Sequence, residues 1–219
     1  MLKARQITLG TPAALVVLFI FTASRPAEAG PPLICHPFET GASALLPWGD
    51  GPGWNTPDRS YDVQRLTEDA LRLLSADAPV LARMENLRRA TIYASRDRRA
   101  ATALLAALLE RTRAGGKAES RDPLVWFDAG YLVESYRQAR LIYDWDMLSA
   151  PARASWGLRS DPDLDGYALV RKAIDLAGSS PEMEFAASLM QGGAVSAGHR
   201  RRAEAGAVAG SLLAANLER

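Results

Sequence analysis

The stretch from Asp122 to Tyr143 limits what this chain can fold into more than any other. Asp122 followed by Pro123 is a helix start. The aspartate can accept from the free amides of a first turn, and proline loses nothing where the N–H has no intrahelical partner. Val125, Ala129, Leu132, Tyr136, Ala139 and Tyr143 then recur at intervals of three and four, which traces one apolar stripe. Leu124, Trp126, Phe127, Tyr131 and Val133 fill the other faces of the first turns. A helix apolar on nearly every side is packed on several sides, so the chain must wrap other elements around this one.

Those elements read as helices too. Val63, Leu66, Ala70, Leu73 and Leu74 share one face, and Asp77 with Pro79 marks the next start. Val80, Met84, Leu87, Thr91 and Ala94 form the following stripe, with Arg83, Arg88 and Arg89 predicted to point to solvent. Ser95 is the expected cap of a third helix carrying Ala101, Leu104, Leu105, Leu108 and Leu109, which stops at Gly115-Gly116. After the central helix, 144–163 is a polar loop. Leu164 or Gly166 then opens a helix with Tyr167, Leu169, Val170, Ala173 and Ile174, and Pro181 opens a short one. A glycine-rich break at Gly192, Gly193 and Gly198 precedes a last helix with Ala207, Val208, Ser211, Leu212 and Ala215 inward. No segment alternates as a strand, so the predicted class is all-α. Short connections imply antiparallel neighbours, that is, an array of helical hairpins.

Composition changes before Ser60. Over 30–59 proline and glycine alternate, removing amide donors and adding backbone freedom, which opposes regular helix. Leu33, Ile34, Phe38, Leu46, Trp48 and Trp54 are too apolar for a spacer, so this segment is predicted to be an extended arm lying along a helical domain of residues 60–219. Ahead of it, Lys3 and Arg5 precede an apolar run from Ala13 to Ala23 and the small-x-small site Ala27-Glu28-Ala29. That is the build of a secretory signal peptide, residues 1–29. The run is roughly 11 residues, against about 20 for a spanning helix. Cleavage would leave no stable membrane span; an uncleaved anchor extended back to Ile7 is the alternative. The expected location is secreted or periplasmic.

The formal charge is +1, which gives no basic excess directed at nucleic acid. With one cysteine and two histidines, no intramolecular disulfide is possible and most transition-metal sites lack ligands. No nucleotide-binding glycine loop, Gly-x-Ser-x-Gly elbow or His-Glu-x-x-His motif occurs.

The segment 167–176 running into Pro181-Glu-Met-Glu-Phe185 resembles the second helix of a tetratricopeptide repeat entering the next repeat. Trp126 followed by Gly130 is similar to that family's first-helix signature, and Ala173-Ile174 returns as Ala207-Val208 at 34 positions, the family's period. Val133 stands where the family favours tyrosine, and the loop after Tyr143 exceeds a regular repeat. The resemblance covers about a third of the mature chain and implies a solenoid-like array with a binding or scaffold role on a concave surface.

Three places have the residue types for a site. Cys35-His36 sets the lone thiol beside an imidazole, which can favour thiolate, although Pro37 encourages the two side chains to diverge. Asp161, Asp163 and Asp165 with Gly166 match the first half of a calcium loop, but Lys172 stands where a bidentate glutamate should close it; capping of the next helix is the competing reading. Trp126, Phe127, Tyr131 and Tyr136 would mark a partner surface if the array leaves them open. Asp128 and Glu134 are expected in ion pairs with arginines such as Arg83, Arg88 or Arg89, and His199-Arg200-Arg201-Arg202 reads as a basic run at a helix start. With no assembled catalytic set, the predicted function is non-catalytic binding of a protein or peptide in the cell envelope, without a cofactor. The alternative is an envelope thiol, redox or metal-dependent protein using Cys35 and His36.

Overall fold

The computed structural model describes residues 32–114, 118–142 and 164–219. Within them the fold is all-helical: α1 (Pro32–Cys35), α2 (Leu66–Leu73), α3 (Val80–Ala94), α4 (Arg98–Arg111), α5 (Pro123–Ile142), α6 (Gly166–Ala177), α7 (Pro181–Ser188), α8 (Gly193–Gly206) and α9 (Leu212–Leu217). One 3-10 turn, Val63–Arg65, leads into α2, and Arg113–Ala114 pairs with Ala118–Glu119 as a minimal antiparallel ladder. The proposed signal segment, residues 1–29, and Tyr143 lie outside the described residues.

The start of α5 follows its sequence. Asp122 Oδ1 accepts the Leu124 amide at 2.9 Å, and Pro123 is the first helical residue. The helix then buries residues on every face from Val125 to Tyr136, with α1, α3, α4 and α6 packed around it. Its closest approach is to α6, where a glycine on each helix lets backbone meet backbone. A Cβ at Gly130 would lie 2.5 Å from the Gly166 carbonyl oxygen, and one at Gly166 would lie 2.6 Å from that of Gly130. Asp165 caps α6 by accepting the Ala168 amide at 3.1 Å, and Ser180 caps α7.

Several helix ends differ from expectation for local reasons. Ser95 closes α3, its hydroxyl donating to the Ile92 carbonyl at 2.7 Å, while Asp97 caps α4 by accepting from the amides of Arg99 and Ala100. A longer α8 begins at Gly193 and runs through Gly198, whose site has room for a side chain. The final apolar run splits between α8 and α9. Ala207 leaves the helix with extended backbone and Gly210 turns with φ +75°, so Val208 is exposed instead of inward. The basic run His199–Arg202 therefore falls inside α8 and not at a helix start.

The largest correction concerns α3. Arg83 and Arg88 do not face solvent; both are completely buried. Arg83 spans three parts of the fold. It donates from Nε to the Ala78 carbonyl at 3.0 Å, from Nη2 to the Ser75 carbonyl, and from Nη1 to Asp128 on α5 at 2.7 Å. Arg88 and Arg89 converge on Glu85, Arg88 through Nε at 2.7 Å and Nη2 at 2.8 Å, Arg89 through Nε at 2.7 Å.

The face of α3 that carries these groups holds the proline-rich residues. Outside α1, residues 36–62 contain no helix or strand, so their backbone polar groups need partners elsewhere. Asn86 accepts the Leu46 amide and donates to the Ala44 carbonyl; Arg89 donates to Leu46 and Arg88 to the carbonyls of Ile34 and Trp54. Tyr93 donates to the Pro47 carbonyl and accepts the Asp58 amide. The Trp48 ring lies against both guanidiniums, 5.0 Å from Arg88 and 5.3 Å from Arg89, an attractive placement of cation over π-face. Leu33, Ile34 and Leu46 are fully buried beneath this network. The single helical turn of α1, which the proline content argued against, starts at Pro32 and buries Leu33 and Ile34; proline is tolerated at that first position.

A candidate ligand groove between the N-terminal segment and the C-terminal helices

The residues following α1 run toward the end of the chain and are pinned there. Asn216, buried on α9, donates to the Glu39 carbonyl and accepts the Glu39 amide, both at 2.9 Å, so one side-chain amide reads both backbone groups of that residue. Arg219 adds a bond to the Pro37 carbonyl at 3.2 Å and an ion pair with Glu39 at 2.8 Å. Phe38 meets Phe185 of α7 edge to face, with centroids 6.1 Å apart.

These contacts leave a groove of about 420 Å³, in the size range of small-ligand clefts. Its apolar part comes from Pro32, Pro37, Phe38, Phe185 and Leu189; its polar part comes from His36, Arg200, Asn216 and Arg219, with no acidic side chain among the described lining residues. Arg200 bonds Glu204 at 2.9 Å and the Leu217 carbonyl. A guanidinium carries five N–H donors, so both arginines keep donors beyond these pairs. Chemically the groove offers apolar surface, cationic hydrogen-bond donors and one imidazole.

The sites expected from sequence fall elsewhere, His36 excepted. Cys35 is half-buried; burial pushes its thiol up and the Arg88 charge only partly opposes this, so the thiolate is disfavoured. His36 is exposed at the groove. Trp126, Phe127, Tyr131 and Tyr136 are all core residues, the last three with no exposed surface. The Lys172 ammonium sits 3.7 Å from the Trp126 ring centroid, and Tyr136 donates to the Ala101 carbonyl at 3.2 Å. Asp161 and Asp163 lie outside the described residues, while Asp165 acts as the α6 cap and lies 3.9 Å from Arg137. Among the described residues no three His, Cys, Asp or Glu side chains are placed to hold a metal ion.

Two buried carboxylates next to α3 titrate in opposite directions. Burial raises Glu85, but bonds from Arg88, Arg89 and the Phe38 amide engage both oxygens, and their sum holds the carboxyl below its ordinary value. Asp128 is pushed up to about 6: burial dominates, Arg83 and the more distant Arg111 at 3.4 Å oppose it, and Oδ1 has no hydrogen-bond partner among the described residues. Glu134 is also raised, by burial first, and pairs with Arg137 at 2.6 Å instead of with an α3 arginine.

A polar network joins α6, α7 and α8. The Tyr167 hydroxyl lies 2.8 Å from His199 Nε2, His199 Nδ1 lies 2.5 Å from Glu184, and Arg202 bonds Glu184 at 2.8 Å. Nδ1 also lies 2.7 Å from Arg202 Nη2, and the tautomer sets which of Nε2 and the tyrosine hydroxyl donates to the other. Burial raises Glu184, but the bonds from Arg202 and His199 bring it below the ordinary range. With every reactive atom bonded to another member, the network is a strut between three helices.

Sequence reasoning did not find the groove, because its walls come from residues about 180 positions apart. One signal was available: Asn216 interrupts the apolar set Leu213, Leu217 on a short amphipathic helix, a place where a polar group needs a specific partner. Among the described residues no helix is long and apolar enough to cross a membrane. Comparison with known protein families, with curated proteins and with solved structures returns no match.

Proposed function

We propose that this chain is an exported, non-catalytic protein of the cell envelope, a solenoid-like array of helical hairpins with an N-terminal arm, and that its groove binds a short extended peptide of a protein partner. The peptide carries an apolar side chain and a carboxylate. The observation behind this reading is the lining itself: Phe38, Phe185 and Leu189 supply the apolar surface, His36, Arg200 and Arg219 the donors, and no acidic side chain is among the described lining residues. Asn216 already holds one residue of extended backbone through both its polar groups, which is the contact such a peptide would extend. Trp126, Phe127, Tyr131 and Tyr136 take no part, since a buried ring offers a partner nothing.

Peptide selection against residues 30–219, followed by affinity measurement, tests the proposal. Peptides pairing an apolar residue with an acidic residue or free C-terminus should enrich, and Leu189→Glu should weaken the best of them by about tenfold or more, equivalent to roughly 1.4 kcal/mol. Selected peptides that ignore Leu189→Glu would place binding elsewhere.

A further inference from the structure

A second concave region lies at the junction of α3 and α4 and shares no lining residue with the groove described above. A cleft of about 320 Å³ is lined by Gly49, Gly51, residues 55–59 and Arg96, and a second of about 480 Å³ by Gln64 and residues 96–99. Arg96 lines both. Four exposed arginines face this region: Arg59, Arg96, Arg98 and Arg99.

What sets them apart is their pairing. Arg65, Arg72, Arg88 and Arg89 nearby each meet a carboxylate within 3.3 Å. Among the described residues Arg59, Arg96, Arg98 and Arg99 form no ion pair, although two carboxylates share their clefts. Both of those carboxylates are engaged by other groups. Asp97 takes the Arg99 amide at 2.8 Å, the Ala100 amide at 3.0 Å and Gln64 Nε2 at 2.8 Å. Asp58 takes the Ser60 amide at 2.8 Å and its hydroxyl at 2.7 Å. Arg99 lends its charge to Asp97 only as a lesser influence beside the Ala100 amide and Gln64. Arg98 and Arg99 stand in the first turn of α4, where the helix dipole opposes positive charge, and adjacent like charges repel.

We propose that the second of these clefts binds a small, multiply charged oxyanion of the phosphate class. Guanidinium groups match such oxygens with paired, directional N–H donors, and Arg96, Arg98 and Arg99 line this one cleft.

Titration calorimetry of residues 30–219 with sodium pyrophosphate, at ionic strength fixed with chloride, tests the assignment. Saturable binding of one anion is expected, with an affinity on the order of 0.1 mM. Arg96→Gln combined with Arg99→Gln should reduce it at least about tenfold, while Arg201→Gln, an exposed arginine on α8, should leave it within about twofold. Circular dichroism of both variants separates loss of binding from loss of fold. Absence of saturable heat, equal losses in both variants, or full binding by the double variant would each overturn the site. A parallel arm uses phosphatidylglycerol vesicles: co-sedimentation that needs Arg96 and Arg99, without pyrophosphate binding, overturns it in favour of a membrane surface.

Discussion

Replacing Gly130 by alanine is the sharpest single perturbation of the packing around α5. By helix propensity alone the change is favourable by about 1 kcal/mol. The surroundings reverse that sign. The new methyl carbon would stand 2.5 Å from the Gly166 carbonyl oxygen and 2.9 Å from both Leu169 Cβ and Val170 Cγ2. The first of these is backbone at the start of α6 and cannot swing aside, so the helices must separate by roughly 0.9 Å to reach ordinary contact. A gap of that size forfeits about a quarter to a half of the dispersion energy of each contact it opens, and Val170 and Ala173 are fully buried at this interface. Overpacking of this kind costs about 1–3 kcal/mol, opened contacts included, and subtracting the propensity gain leaves a net loss of up to about 2 kcal/mol. For a chain of this size that lowers Tm by up to roughly 8 °C. Thermal and urea denaturation followed by circular dichroism measure it. Gly198→Ala is the internal control: its Cβ would meet only Arg202 Nη1, at 3.6 Å, so the same change in α8 should stabilise by up to about 1 kcal/mol. If Gly130→Ala and Gly198→Ala shift stability alike, the backbone contact between α5 and α6 is not as described.

Other predictions follow from the buried polar groups. Glu85, held below its ordinary value, contributes stability that is present above about pH 4.5 and lost as pH falls through its folded value; Glu85→Gln should flatten that acid limb in pH-dependent urea melts. Asp128 has the opposite sign. With its folded value near 6, its contribution is complete below the ordinary carboxyl range and is lost as pH rises through 6, so wild type should lose stability relative to Asp128→Asn between pH 4 and 7, by about 3 kcal/mol at most. The Cys35 thiol should react slowly with a chromogenic disulfide until denaturant is added; a native rate equal to that of the unfolded chain would restore the redox reading. Asn216→Ala should leave both backbone groups of Glu39 without their partner and cost about 1–3 kcal/mol, whereas Asn55→Ala, on an exposed loop, should change little.

The sequence made local features readable and long-range ones not. Asp122-Pro123 gave the start of α5, and its all-round apolarity gave its central position, because both rest on residues within one or two turns. The all-α class followed from the same periodicity. Arg83, Arg88 and Arg89 were misplaced because periodicity sorts residues by polarity, and a charged side chain reads as exposed unless its partner is known. Here the partners are Glu85, Asp128, the Ile34 carbonyl in α1 and the carbonyls of Leu46 and Trp54, in a segment with no secondary structure of its own to satisfy it. The polar face of α3 is thus an interior face. The break between α8 and α9 was missed because Ala207, Val208 and Leu212 continue a helical spacing, and only Gly210 records the turn.

The claim that matters most for function is that peptide recognition occurs between the N-terminal segment and α7 to α9. Its most direct test is a titration of isotope-labelled residues 30–219 with the best selected peptide, followed amide by amide in NMR spectra. Saturable shifts should be largest at His36, Phe38, Leu189 and Asn216, and should disappear with Leu189→Glu. Saturable shifts centred on other helices, or none at these four residues, would contradict it.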